Sequence, residues 1–497
     1  MVGHEVASFS FKRKDQAVTL ASKGSLKVDG ESIQVDTQLL FQRLVLAAKT
    51  NLENALEYEL CTVPKALFEA PELLHEAQKS TLADAIWTMT GKKDGNVGKD
   101  VLYVLDGGAL LHRLPWIRGR SFASILQSYL DYVVSHYGQA TVVFDGYEGN
   151  STKDMTHARR KNGRKGVSVS FSASMNLTIT KEAFLSDTSN KQRFVTLLGE
   201  QLEGSGCQVF HGKGDADVLI VLKALELANT KDTVLIGDDT DLLVLLLSKD
   251  MPQSSKKIFF APEPKKIHSK TRIWDIKQVK VDLGSFICPH LLFLHALSGC
   301  DTTSRLYGIG KGTILKRLKN NIILQQAALV FHNPMSTHTQ VQEAGEKALV
   351  AIYNGKNSDS LNMLWYKRYS EKVATSTSQV DPKNLPPTSA AAKYHSFRVF
   401  LQVNQWKDTE CDMMPESWGW ECTDAGFKPT TTDIAPAPQE LLKIIRCNCA
   451  TDCTTTRCSC QKHRMKCSIA CGQYCGTGCQ NATPFLEDDE ADNELDD

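Results

Sequence analysis

Several things are missing from this 497-residue chain, and each absence excludes a class of protein. No run of 18 or more apolar residues occurs, which excludes a helical membrane span. The N-terminus, MVGHEVASFSFKRKDQ, has no apolar segment of the kind that starts a secretory leader, so an intracellular protein is expected. There is no excess of either charge: 57 Lys and Arg balance 57 Asp and Glu. A generally basic coat for nucleic acid is therefore excluded, and only local basic patches remain available. Outside one stretch cysteine is sparse, with Cys61, Cys207, Cys288, Cys300, Cys411 and Cys422 too scattered for a disulfide framework. What remains is 42% hydrophobic and 23% charged, an ordinary globular composition with core enough for two to four domains.

The informative stretch is VLIGDDTDLLVLLL, residues 234 to 247. It reads as a buried strand that delivers Asp238, Asp239 and Asp241 at its end and runs into a buried helix. At an effective dielectric of 20, two unit charges about 4 Å apart repel by roughly 4 kcal/mol, so clustered carboxylates either hold protons or bind cations. The same grammar recurs: VLYVLDGG ends in Asp106, ATVVFDGY in Asp145, and CQVFHGKGDAD in Asp215 and Asp217 ahead of an apolar helix. Strands alternating with helices predict an α/β fold with a parallel sheet, whose ligands bind beyond the strand C-terminal ends, where these acids sit. For any one Asp, capping a helix is the simpler role; the repetition over four strands argues for a shared site.

Downstream, LLFLHALSGCDTTSRLYGIGKGTILKRL joins an apolar helix to Asp301, then to a glycine turn and a second, basic helix. Backbone N–H groups at such a helix N-terminus grip phosphate without reading sequence, which makes Gly308, Gly310 and Lys311 candidate nucleic-acid contacts. Taken together, residues 97 to 335 resemble the flap endonuclease (XPG-like) 5′-nucleases, a branch of the PIN-like nucleases. The resemblance rests on the ordered acids Asp106, Asp145, Asp215, Asp217, Asp239, Asp241 and Asp301 and on the GIGKG turn, which is similar to that family's helix-three-turn-helix. It implies a PIN-like sheet flanked by helices and hydrolysis of phosphodiesters with two Mg²⁺ or Mn²⁺ ions, Asp145, Asp217, Asp239, Asp241 and Asp301 holding most of the metal. Oxygen ligands of this kind suit those hard cations. The family also implies a Lys and an Arg near the scissile phosphate, matched by Lys153 and Arg160, two helical turns apart and one residue further from the acid. Where the family has Glu-x-Glu, this chain has Asp215-Ala216-Asp217.

The remaining regions are read from pattern. Residues 1 to 35 are polar and expected to be flexible, and residues 36 to 96 form a helical region that includes a run from Leu73 through Trp87. Residues 163 to 188, rich in Ser and Thr, are expected to form a mobile arch. The extension from 336 to 440 mixes helix and loop, with Tyr394, Phe397, Phe400, Trp406, Trp418 and Trp420 expected to build a small core rather than to stack on bases. Residues 483 to 497 form an acidic tail.

Nine cysteines occupy residues 441 to 482: Cys447, Cys449, Cys453, Cys458, Cys460, Cys467, Cys471, Cys475 and Cys479. An odd number with Cys-x-Cys steps does not pair up as disulfides, and three bridging thiolates among nine would supply the twelve positions of three tetrahedral zinc ions. The stretch resembles the CXC domain of the tesmin/TSO1 family, which implies DNA binding, with Arg457, Lys462 and Arg464 on the basic surface. Arg457 stands where that family has Tyr. A purely structural zinc module is the alternative. The two resemblances together imply a structure-selective DNA endonuclease of the nucleus, acting on branched or flap-like substrates. The alternative is a catalytically inactive PIN-like scaffold that binds DNA or chromatin through its CXC domain.

Overall fold

The computed structural model describes residues 24–28, 31–35, 63–70, 72–91, 94–146, 152–153, 166–251, 256–263, 272–375, 382–407, 412–424 and 426–434. In the cysteine-rich stretch it describes residues 447, 449, 453–455, 457–462, 467, 480 and 481. Two compact units emerge: residues 67–357 with 392–431, and residues 1–66 with 358–391 and 432–497.

The second of these holds strands β1 (Gly24–Val28) and β2 (Glu31–Val35), paired antiparallel. This hairpin lies in the stretch expected to be flexible. The sequence signal for it is Asp29-Gly30, a favoured pair for a two-residue hairpin connection.

The larger unit opens with β3 (Phe68–Ala70) and β4 (Leu73–Leu74), followed by α1 (Ser80–Met89). The expected helix beginning at Leu73 thus starts only at Ser80. Leu73 and Leu74 pair instead with β3, and Glu72 takes φ +63°, a left-handed conformation that no helix accommodates. Next come β5 (Leu102–Asp106), α2 (Gly107–Arg113), α3 (Phe122–Tyr137), β6 (Thr141–Phe144), α4 (Lys181–Leu185), α5 (Thr188–Gly204) and β7 (Gln208–His211). Then follow α6 (Asp217–Leu227), β8 (Thr233–Ile236), α7 (Thr240–Ser248), β9 (Ile258–Ala261) and β10 (Trp274–Asp275). The sheet order is β10-β9-β8-β5-β6-β7, parallel throughout except for β10. An α/β parallel sheet flanked by helices is therefore what the structure has. Because the chain winds outward from β5 through β6 and β7, then returns to place β8 on the other side of β5, the strand order reverses between β5 and β8. Open α/β sheets bind their ligands at that crevice.

The hydrophobic pattern explains the layers. Strands β6, β8 and β9 are buried at every position, and in α7 the six residues Leu242 to Leu247 are all fully buried. Each such side chain contributes roughly 1.5–3 kcal/mol, which lets α7 carry a charged Asp241 into the interior. Residues 166–188 correct an expectation. Phe171, Leu177, Phe184 and Leu185 are buried in the main core, with Phe171, Phe122 and Phe184 in ring contact, and backbone bonds from Phe122 to Met175 and from Leu177 to Arg120 fix the loop. Four buried apolar side chains suffice to pin a segment whose other positions are mostly polar.

Helices α8 (Ile276–Leu283), α9 (Ile287–Leu297), α10 (Lys311–Asn320), α11 (Ile322–His332) and α12 (His338–Ile352) follow in this unit. The fully buried α9 and the basic α10 are the two helices expected around the glycine turn, and α12 is the helix expected after residue 336. Helix α13 (Leu361–Thr375) belongs to the smaller unit, and α14 (Ser389–Lys407) leads back into the larger one. Phe397, Phe400, Trp406, Trp418 and Trp420 are buried, as the core reading of that aromatic group requires.

Candidate metal and phosphate site

Each acid is placed by a strand end or a helix start. Asp106 closes β5 and caps α2, its Oδ1 accepting from the N–H groups of Gly108 at 2.8 Å and Ala109 at 3.2 Å. A glycine has to follow it, because a Cβ on Gly107 would lie 2.2 Å from the Phe144 ring. Asp145 follows β6 and accepts from the Ala216 N–H at 3.1 Å, which ties it to the turn carrying Asp215 and Asp217. Asp239 caps α7 through the Asp241 N–H at 2.9 Å, and Asp301 comes shortly after α9. Capping and clustering are thus combined: Asp106 and Asp239 do both. Carboxylate oxygens of Asp239, Asp241 and Asp301 lie within 4.8 Å of one another.

Two lysines enter this field. Lys153, expected there, donates to Asp215 at 2.5 Å and Asp217 at 3.2 Å. Lys79, which no sequence motif marks, donates to Asp239 at 3.1 Å, Asp241 at 3.0 Å and Asp301 at 2.9 Å. The acids respond to burial and to each other. Burial, reinforced by neighbouring Asp145, pushes the Asp106 carboxyl up to about 7. Burial and Asp241 raise Asp239 against the pull of Lys79, and burial with Asp215 raises Asp217 well above the ordinary carboxylate range against the pull of Lys153. Asp241 goes the other way: despite burial, Lys79 and His295 hold it well below that range.

His295 is the second residue that no motif reveals. It is fully buried on α9, and its Nε2 lies 2.7 Å from Asp241 Oδ1. Burial, with Lys311 nearby, lowers its pKa to about 4, so the ring is neutral and the contact is a hydrogen bond from Nε2–H rather than an ion pair. Nδ1 then accepts from Lys311 Nζ at 3.2 Å, and Lys311 also donates to Ser298 Oγ at 2.8 Å and to the Gly299 carbonyl. Lys311, expected to contact nucleic acid, is 4% exposed and spent on this relay, so its ammonium does not face a ligand. The physical reason is position: as the first residue of α10 it points back beneath the loop that follows α9. Gly308, with φ +71°, and Gly310 both have open space where a Cβ would stand, which leaves their backbone accessible. Arg160 and Arg464 lie outside the described residues.

A cleft of about 650 Å³ opens on this site, walled by residues 74–80 and by Asp106, Asp239 and Asp301. It lies beside the C-terminal ends of β5 and β8, at the reversal of strand order. Solved structures similar to this chain include the catalytic core of Rad2. One such core, in complex with DNA substrate, covers 95% of its own chain and 67% of this one at 16% identity and a TM-score of 0.33. A second complex of that core gives 96% and 67% at 16% identity and 0.32. T5 5′-exonuclease with bound divalent metal ions (zinc) covers 90% and 62% at 16% identity and 0.30. No protein-family model and no curated protein matches the chain.

The donor set fits hard divalent cations: the group of ligand atoms that converges is made of carboxylate oxygens alone, and the His295 ring beside Asp241 has both nitrogens occupied. The raised Asp106 gives a checkable consequence. A carboxyl whose folded pKa is about 7 against roughly 4 unfolded binds its proton more tightly when folded, so its contribution to stability is full below pH 4 and declines as pH rises to 7. The upper bound on that loss is about 4 kcal/mol. In EDTA the melting temperature should therefore fall between pH 5 and 7.5, and Mg²⁺ should reduce the fall; a flat metal-free profile would contradict the burial of Asp106.

The cysteine stretch forms its own cluster. Cys447, Cys449, Cys453 and Cys458 make one group of four, and Cys447, Cys458, Cys460 and Cys467 make another, so two cysteines are shared. Sulfurs are 3.6 Å apart for Cys447 and Cys453, 3.7 Å for Cys447 and Cys467, and 3.8 Å for Cys458 and Cys467. Disulfides are far shorter, whereas a tetrahedral zinc with bonds of about 2.3 Å holds sulfurs about 3.8 Å apart. Helix α15 (Ser459–Lys462) starts beside Cys458, whose sulfur accepts from the Gln461 N–H at 3.5 Å. Burial pushes that thiol up, but this bond and the neighbouring thiols bring it down to about 7. Arg457 and Lys462 are exposed next to the cluster, as a basic surface requires, while Cys471, Cys475 and Cys479 lie outside the described residues.

Proposed function

We propose that this chain is a metal-dependent, structure-selective endonuclease that acts on DNA, with a zinc-cluster module that binds the same substrate. One observation carries the reading: Asp239, Asp241 and Asp301 present carboxylate oxygens within 4.8 Å of one another beside the crevice where the strand order reverses, and Asp106 lines the same cleft. Asp145, Asp217, Asp239, Asp241 and Asp301 would hold two Mg²⁺ or Mn²⁺ ions, with Asp106 and Asp215 supporting. Such a pair supplies an activated water and charge for the leaving oxygen. The chain's own part is positional. His295 fixes Asp241, the Ala216 N–H fixes Asp145, and Lys153 sets a positive charge at Asp215 and Asp217 where a phosphate would approach. Gly308 and Gly310 at the start of α10 offer backbone N–H groups to a duplex arm. Three zinc ions on the nine cysteines would give Arg457, Lys462 and Arg464 a rigid frame on DNA, and the place of action would be the nucleus.

A second reading, a scaffold without chemistry that is recruited through its cysteine module, is favoured by one contact. Lys79 already bridges Asp239, Asp241 and Asp301 with one positive charge, so the three are held together without an ion. Labelled flap, bubble and linear DNA incubated with the purified protein separates the two. Cutting in Mg²⁺ or Mn²⁺, absent in EDTA and strongest on one branched shape, supports the nuclease. Binding without cutting in either metal transfers the assignment to the scaffold.

A further inference from the structure

The contact made by Lys79 bears directly on how the acids would take up metal, and a role for it there rests on the metal-site reading above. Its ammonium has three N–H donors and meets three carboxylates, at 2.9, 3.0 and 3.1 Å. The side chain is 13% exposed. This is the coordination of a cation at the centre of a triad, with a nitrogen where an ion would sit. Magnesium binds oxygen at about 2.0–2.1 Å and tolerates no second cation at its own position. An ion on the same three oxygens must therefore evict the ammonium. The geometry gives the ammonium a route. Lys79 immediately precedes α1, at the end of the 74–80 segment that walls the cleft, and its long flexible stem borders about 650 Å³ of open space.

We propose that Lys79 is a resident cation of the Asp239, Asp241 and Asp301 triad that competes with divalent metal for it, so that filling the triad requires Lys79 to swing into the cleft. Lys79 is thus a positioning residue for the metal site rather than a group that touches the reacting atoms. It keeps three carboxylates assembled when no metal is present and lowers the affinity of the triad for metal. Lys153 holds the neighbouring pair, Asp215 and Asp217.

The test reads metal binding and lysine exposure, neither of which depends on cleavage. Mn²⁺ binding to the full chain, followed by electron paramagnetic resonance, is compared for the native protein and Lys79→Gln. The variant should bind Mn²⁺ about tenfold tighter or more, because the competitor is gone. Should Lys79→Gln fold poorly without metal, the native protein still answers: under acetic anhydride, Lys79 followed by mass spectrometry should be acetylated slowly in EDTA and at least several-fold faster in Mg²⁺. Equal Mn²⁺ affinity in the two proteins, or equal acetylation of Lys79 with and without Mg²⁺ while Mn²⁺ binds, overturns the competition and leaves the metal site standing. If neither protein binds Mn²⁺, the metal-site reading falls and this inference with it.

Discussion

A protein in which Asp239 and Asp241 are both changed to Asn should lose metal-dependent cleavage by about a thousandfold or more while remaining folded. Metal ions at a phosphoryl centre supply several kcal/mol of transition-state stabilisation, and each 1.36 kcal/mol is a factor of ten in rate. The pair turns two of the three carboxylates that converge within 4.8 Å into neutral amides, so a remaining ion would lose most of its anchoring charge. Folding should survive for a local reason. Asn caps helices as well as Asp does, so the bond from the Asp241 N–H to residue 239 can persist, and the six buried apolar residues of α7 are untouched. Cleavage rates on the preferred DNA, beside a thermal melt of each protein, check both halves. A doubly changed protein that still cuts at a tenth of the native rate would remove Asp239 and Asp241 from the mechanism.

The other large effect is expected at the cysteine cluster. Structural zinc in small modules contributes about 10–16 kcal/mol at neutral pH, more than such a module gains from its own core. A strong chelator should therefore unfold it outright. Alkylation of thiols followed by mass spectrometry gives the readout by position. Cys447, Cys453, Cys458, Cys460 and Cys467 should pass from protected to fully reactive, while the buried core thiols Cys207, Cys288 and Cys300 stay protected. Zinc released should approach three equivalents per chain. Identical alkylation before and after chelation would mean that the sulfurs are held by packing alone.

The strand-then-acid grammar is legible in the sequence because burial leaves a local record: VLI and VVF are apolar runs inside buried strands, and carboxylates that come within three residues of such a run have to be there for a reason. The helix pair around the glycine turn is legible on the same grounds. Lys79 and His295 are not. Lys79 meets Asp239 across 160 positions and His295 meets Asp241 across 54, and nothing within a window of about 18 residues encodes a meeting at that range. His295 sits in a buried, mostly apolar helix, where a histidine reads as filler; only the fold shows that its ring joins Asp241 to Lys311. The loop at 166–188 defeats pattern reading for the opposite reason, since Ser and Thr dominate its composition while Phe171 and Leu177 decide its structure.

The position of β5 also bears on how the chain is made. It lies at the centre of the sheet, with β6 on one side and β8 on the other, yet β8 ends at residue 236 and β5 at residue 106. At synthesis rates of about 5–20 residues per second, β6 is out of the ribosome roughly ten seconds before β8 can dock. For that interval one flank of β5 is an unpaired edge of apolar strand, the kind that templates aggregation. Production of this protein should therefore respond to slower translation and to chaperones that shield nascent edges, even where the finished molecule is stable.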